Sequence, residues 1–133
     1  MRDVSREILP VYQLLPPLLR NMAQRRYDRI VGIASNMDIP SPSFSYNAAK
    51  EARIGALLLA AREVWKDGVT INVVAPGPVE PFASLGEAVE HCAHGSAWAE
   101  RGRVTPQDIA DGILYLCSNE AKYVSGCVLP FLF

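Results

Sequence analysis

The chain has 133 residues, half of them hydrophobic, and a formal net charge of −1. That length suits a single domain, residues 1–133, with its own buried core, and the apolar content excludes a disordered chain. The near-neutral charge gives no electrostatic case for nucleic acid or an anionic membrane surface as partner.

In chain order, Val4, Ile8, Val11, Tyr12, Leu15, Leu18, Leu19 and Met22 recur at three- and four-residue steps. This spacing predicts an amphipathic helix over residues 4–25. Pro10, Pro16 and Pro17 lie inside the pattern. A proline removes a helical hydrogen bond and crowds the preceding turn, which predicts a kink or a split near Pro16-Pro17. Arg20, Arg25, Arg26 and Arg29 gather at the end of this helix and read as a solvated face favoured by its dipole. Arg29 to Ser35 reads as a buried strand, and Asn36 to Ser45, rich in Pro and Ser, as a loop.

A long helix is predicted over residues 46–66. Ala48, Ala52, Gly55, Ala56 and Leu59 line one side with mostly small residues, and Gly68 supplies a C-cap. Val69 to Ala75 is an apolar run without alternation, as a parallel strand covered on both faces requires, and Pro76-Gly77-Pro78 stops it. A further helix is expected around residues 85–100. Thr105-Pro106-Gln107-Asp108 marks a helix start, with an N-cap hydroxyl, a proline in the first turn and an acid three residues after the cap. Gly126 precedes a last strand, from Cys127 to about Leu132. Strand, helix, strand, helix, strand predicts a right-handed parallel α/β arrangement, in which ligands bind outside the carboxyl ends of the strands.

Cys92, Cys117 and Cys127 are odd in number and form no CxxC pair, as expected of reduced cysteines in a cytoplasmic protein. No signal-peptide pattern and no apolar run of membrane-spanning length is present. His91, Cys92 and His94 lack a further ligand cluster and read as helix surface, so no metal site is expected. Asn72, inside a buried strand, reads as a structural hydrogen-bonder.

The chemistry concentrates at Ser35, Tyr46 and Lys50. Carbonyl reduction needs a hydride donor, a proton donor and a group that polarises the oxygen. Tyrosine is a poor acid at its reference pKa of about 10, and a nearby ammonium stabilises its phenolate. Tyr46 and Lys50, four residues apart on a helix, face the same way, so Lys50 is placed to tune Tyr46 and to hold a ribose hydroxyl. Ser35 at a strand end is placed to hydrogen-bond the substrate oxygen.

The ordered set Arg29-Ile30-Val31 leading to Ser35, Tyr46-Asn47-Ala48-Ala49-Lys50, Ile71 to Val79, Thr105 to Ala110 and Tyr123-Val124-Ser125-Gly126 resembles the short-chain dehydrogenase/reductase family, close to its 3-oxoacyl-(acyl-carrier-protein) reductase-like members. The resemblance implies a truncated Rossmann-like, three-layer α/β domain with a short parallel sheet, lacking the N-terminal nucleotide-binding half. It implies an oxidoreductase that interconverts a small-molecule carbonyl and alcohol with NAD or NADP. Tyr46 would be the general acid/base, Lys50 its tuner and ribose ligand, and Ser35 the group that orients the carbonyl. Pro76, Gly77 and Val79 would meet the nicotinamide carboxamide.

The departures are specific. The family's TGxxxGxG loop, cofactor-selecting residue and NNAG segment have no counterpart. The family's helix asparagine falls near Glu7. The loop from Ser35 to Tyr46 is shortened, and Val79-Glu80-Pro81-Phe82 carries no threonine. The family also pairs subunits through the two helices at residues 4–25 and 46–66, so a homo-oligomer through these helices is expected, or docking to a chain that supplies the missing half. Three readings follow: a catalytic half-domain, a degenerate interaction module, or a fragment of a longer chain.

Overall fold

The computed structural model describes residues 2–38, 41–79, 86, 87, 90 and 104–131. The elements in order are α1 (Arg2–Arg25), β1 (Asp28–Ile33), α2 (Phe44–Val64), a single 3-10 turn (Trp65–Asp67), β2 (Val69–Pro76), α3 (Pro106–Cys117) and β3 (Val128–Phe131). The strands form one parallel sheet in the order β1-β2-β3. Asp28 lies opposite Val69 and Ile33 opposite Val74, while Val73 lies opposite Val128 and Pro76 opposite Phe131. The α/β layout with a short parallel sheet expected from the sequence is therefore the observed one.

β2 is the centre of the molecule. Every residue from Val69 to Ala75 is buried, as its unbroken apolar run requires. Burying each of its large aliphatic side chains stabilises the fold by about 1.5–3 kcal/mol. Its alternation feeds two layers. Val69, Ile71 and Val73 meet Ile54, Leu57, Ala61 and Val64 of α2, with Val11, Leu15, Leu19 and Met22 of α1 behind them. On the opposite face α3 packs across β1 and β2, and at Gly112 it comes so close to two β3 side chains that a Cβ would meet Phe131 at 2.9 Å and Leu129 at 3.2 Å.

Asn72, fully buried in β2, is the structural hydrogen-bonder its position suggested. Its Nδ2 donates to the Val124 carbonyl at 2.8 Å, and its Oδ1 accepts from the Cys127 N–H at 3.1 Å. It thereby sets the approach to β3. Thr105 and Asp108 form a reciprocal capping box at the start of α3. Gly68, at φ 78°, donates its N–H to the Trp65 carbonyl and ends α2 and its turn.

Three expectations are modified. α1 runs as one helix through Pro10, Pro16 and Pro17, with no split. The prolines delete single bonds, and packing of the Val11–Leu15–Leu19–Met22 seam on α2 holds the turns together. That seam is also narrower than the apolar stripe: Tyr12 and Leu18 stay on the surface. β1 is only half-buried, because it pairs on one side alone among the described residues. The helix expected around residues 85–100, including His91, Cys92 and His94, lies largely outside the described residues.

Two stability measurements check this account. A Cβ at Gly68 would lie 2.4 Å from the Arg26 carbonyl oxygen at a positive φ, so Gly68→Ala is expected to destabilise the chain by about 1 kcal/mol or more in urea denaturation. Asn72→Ala orphans the half-buried Val124 carbonyl and Cys127 N–H, with an expected loss of about 2 kcal/mol or more. A loss below about 0.5 kcal/mol would show that Asn72 does not hold β3 in place.

Candidate active site

The carboxyl ends of β1 and β2 point to one rim, and each feature there grows from the chain's exit from a strand. The β1–β2 ladder continues past β1: the Ala34 N–H donates to the Val74 carbonyl at 2.9 Å, and the Asn36 N–H to the Pro76 carbonyl at 2.8 Å. Ser35 sits between these two bonds, half-buried at the strand end. Asn36 is buried and joins all three strands at this edge. Its Nδ2 donates to the Phe131 carbonyl at 3.1 Å, and its Oδ1 accepts from the Asp38 N–H at 2.9 Å.

The chain then turns back into α2, which therefore starts at the same rim. Ser43 caps it by accepting from the Tyr46 N–H at 3.3 Å. Asn47 braces the entering loop: its Nδ2 donates to the Ser41 carbonyl at 2.7 Å, and its Oδ1 accepts from the Ser41 N–H at 3.1 Å. Tyr46 is thus held in the first turn, 36% exposed. One turn later Lys50 places its Nζ 5.2 Å from the centre of the Tyr46 ring.

Lys50 is itself held from α1. Its Nζ lies 3.1 Å from Glu7 Oε1, and the two side chains are 13% and 19% exposed. Glu7 Oε2 lies 3.1 Å from Arg53 Nη1, a close ionic contact that lacks hydrogen-bond alignment. Arg53 also donates through Nη1 to the Ile33 carbonyl at 3.0 Å and through Nε to the Glu7 carbonyl at 3.3 Å. One anion and two cations thereby tie α1, α2 and the end of β1 together beside Tyr46.

The other sequence-predicted positions fall on the same edge. Pro76 ends β2, and the Gly77 N–H donates to the Phe131 carbonyl at 2.8 Å. Val79 forms a parallel bridge with Val104 just before the α3 cap. The structure brings Tyr46 and Lys50 together, and packs Pro76 and Gly77 against the end of β3. Ser35 and Tyr46 are not hydrogen-bonded to each other. Ser35 instead lines a shallow cavity of ≈ 270 Å³ with Asn36, Asp38, Glu51 and Ile54.

The sequence reading assigned no role to Asn36, Asn47 or Arg53. Asn36 and Asn47 adjoin Ser35 and Tyr46, which is the only signal the sequence offers for them. Nothing in the sequence joins Arg53 to Glu7, 46 positions away. Among the described residues no three potential metal ligands come together, and no helix is long and apolar enough to cross a membrane.

Known proteins share this sequence pattern and fold. A family model described as Enoyl-(Acyl carrier protein) reductase matches residues 11–131. The 3-oxoacyl-[acyl-carrier-protein] reductase FabG of Vibrio harveyi is 32% identical over 126 residues, which are 92% of this chain and 52% of the relative. MabA of Mycobacterium avium, a 3-oxoacyl-[acyl-carrier-protein] reductase, is 30% identical over 131 residues, 96% of this chain and 51% of the relative. The crystal structure of acetoin dehydrogenase from Enterobacter cloacae shares the fold, with a TM-score of 0.76 at 23% identity over 97% of this chain and 51% of that one. The chain spans about half the length of the curated relatives it matches. With a family model matched over most of its length and the Tyr46–Lys50 pair on the rim of a parallel sheet, the chain belongs to the short-chain dehydrogenase/reductase family.

Proposed function

We propose that the chain carries the proton-transfer half of an NAD(P)-dependent oxidoreductase that interconverts a small-molecule carbonyl and its alcohol. The observation that carries this reading is the Lys50 ammonium 5.2 Å from the Tyr46 ring centre, at the rim where parallel α/β sheets take their ligands. In the reducing direction the Tyr46 phenol gives its proton to the substrate oxygen as hydride reaches the carbonyl carbon. A C–H and an O–H bond form, and the C=O π bond is lost. The Lys50 ammonium stabilises the phenolate left behind. The Ser35 hydroxyl, at the end of β1, orients the substrate oxygen. When bound, the reduced cofactor, NADH or NADPH, would supply the hydride and be left as NAD+ or NADP+.

The residues present fit the nicotinamide ribose end of such a cofactor. Tyr46 is partly exposed, and Lys50 has three N–H donors, of which Glu7 takes one side. The Pro76 carbonyl accepts from Asn36 and the Gly77 N–H is given to Phe131, so these two residues act by shaping the turn that presents Val79. Among the described residues no glycine-rich loop opens a helix, so the cofactor phosphates have no cradle there. In this reading a further segment or a partner chain supplies it. The free thiols of Cys117 and Cys127 support a cytoplasmic setting.

Assembly through α1 and α2 belongs to the same proposal. Their outer face carries an apolar groove of ≈ 530 Å³ that includes Tyr12, Leu15, Leu19, Ala56 and Leu59. Tyr12 is 67% exposed and Leu59 62%, more apolar surface than a lone helix pair normally shows to water. A second copy of the chain offers the same face and covers it. The alternative, an interaction module without catalysis, keeps this assembly and loses the chemistry.

Two measurements test the reading. Tyr46→Phe keeps the ring and removes the proton donor. Turnover of NADH or NADPH with a ketone substrate is expected to fall by about 100-fold or more with an unchanged circular dichroism spectrum, and an unchanged rate removes the mechanism. Sedimentation equilibrium at micromolar concentration is expected to show a dimer that Leu59→Glu dissociates. A compact monomer in the unmodified chain would sink the assembly.

A further inference from the structure

We infer that Glu7 and Arg53 are positioning residues that fix the Lys50 ammonium and set how much positive charge reaches Tyr46. The inference rests on the reading of Tyr46 as proton donor and gives Glu7 and Arg53 a part in the chemistry that the reading does not assign.

The geometry carries it. Glu7 Oε1 lies 3.1 Å from Lys50 Nζ, in a pair whose side chains are each less than one-fifth exposed, so the ammonium has a fixed anchor on α1. A lysine stem is flexible and its ammonium rotates freely, so without an anchor its distance from a neighbouring phenol is not fixed. A carboxylate this close also opposes the ammonium. Taken alone, a Lys50–Glu7 pair is neutral overall and presents a weak field to a third group.

Arg53 changes that balance. Its Nη1 lies 3.1 Å from Glu7 Oε2, its Nε takes the Glu7 carbonyl at 3.3 Å, and Nη1 also takes the Ile33 carbonyl at 3.0 Å. The guanidinium therefore binds both the backbone and the carboxylate of Glu7 and anchors them to the end of β1. The cluster holds one anion and two cations, so one net positive charge remains beside Tyr46 at a ring-to-ammonium distance of 5.2 Å. The charged groups at this junction are Glu7 from α1 and Lys50 and Arg53 from α2. The end of β1 contributes the Ile33 carbonyl, and Glu51 of α2 lines the separate Ser35 cavity. Arginine suits the task because it stays charged at every accessible pH and its planar fork reaches several acceptors at once.

The test follows the ring signal of Tyr46 against pH by NMR, with ¹³Cζ-labelled tyrosine and the Tyr46→Phe spectrum as assignment. Glu7→Gln keeps an oxygen for Lys50 and removes the charge, so the Tyr46 profile is expected to move to lower pH than in the unmodified chain. Arg53→Met is expected to move it higher. Arg53→Lys, which restores the charge, is expected to return the profile towards that of the unmodified chain and serves if Arg53→Met does not fold. A purely structural role for the cluster would change melting temperature and leave the profile in place. Profiles of Glu7→Gln and of the Arg53 variants that coincide with the unmodified chain overturn the inference. The readout needs no turnover: if Tyr46→Phe retains full activity while the profiles shift as described, the proposed mechanism fails and the charge coupling stands.

Discussion

The rest of the structure depends on the burial of β2. A strand covered on both faces has no solvent for its backbone groups, so each must be paired, and parallel neighbours on both sides provide the partners. Parallel connections in turn require crossovers, which put α2 on one face and α3 on the other. All three strands then end at the same edge, and that is where the chain turns into α2 and where Pro76-Gly77 stops β2. The polar chemistry gathers there because the sheet interior can hold only groups as fully satisfied as Asn72.

The ion cluster beside Tyr46 links this architecture to its chemistry. Glu7 belongs to a helix whose apolar seam is anchored in the core by Val11, Leu15, Leu19 and Met22. Lys50 and Arg53 belong to the helix packed between that seam and the sheet. Three partly buried charges placed in this way lose hydration, and one mutual set of contacts offsets that loss only while all three remain. The cluster thus couples the seating of α1 to the surroundings of the Tyr46 phenol. Nothing comparable links Ser35 to Tyr46, whose relative placement rests on the loop between β1 and α2.

Much of this was legible in the residues. Uninterrupted apolar runs identified β2 as a buried parallel strand, and the Thr105–Asp108 spacing identified a capped helix, because both signals are local and strong. Tyr46 and Lys50 were legible because four residues on a helix bring two side chains together whatever surrounds them. That these 133 residues hold no phosphate-binding glycine loop was equally plain, since such a loop needs particular residues at fixed spacing. Other features misled or were silent. The prolines predicted a kink or a split near Pro16-Pro17, yet α1 runs on without a split, because tertiary packing outweighs the deleted bonds. The apolar run of β1 suggested full burial, whereas its position as an edge of the described sheet leaves it half covered.

The sequence by itself determined the order of elements, the parallel sheet, the family and the Tyr46–Lys50 pair, because each follows from periodicity, caps and short-range spacing. Only the tertiary structure decided which charges surround that pair. Glu7 lies 43 positions from Lys50 and 46 from Arg53, and Asn36 reaches Phe131 across 95. Contacts of that separation are set by how α1 seats against α2 and how β3 closes on β2. Those are outcomes of packing many side chains at once, and no local pattern records them.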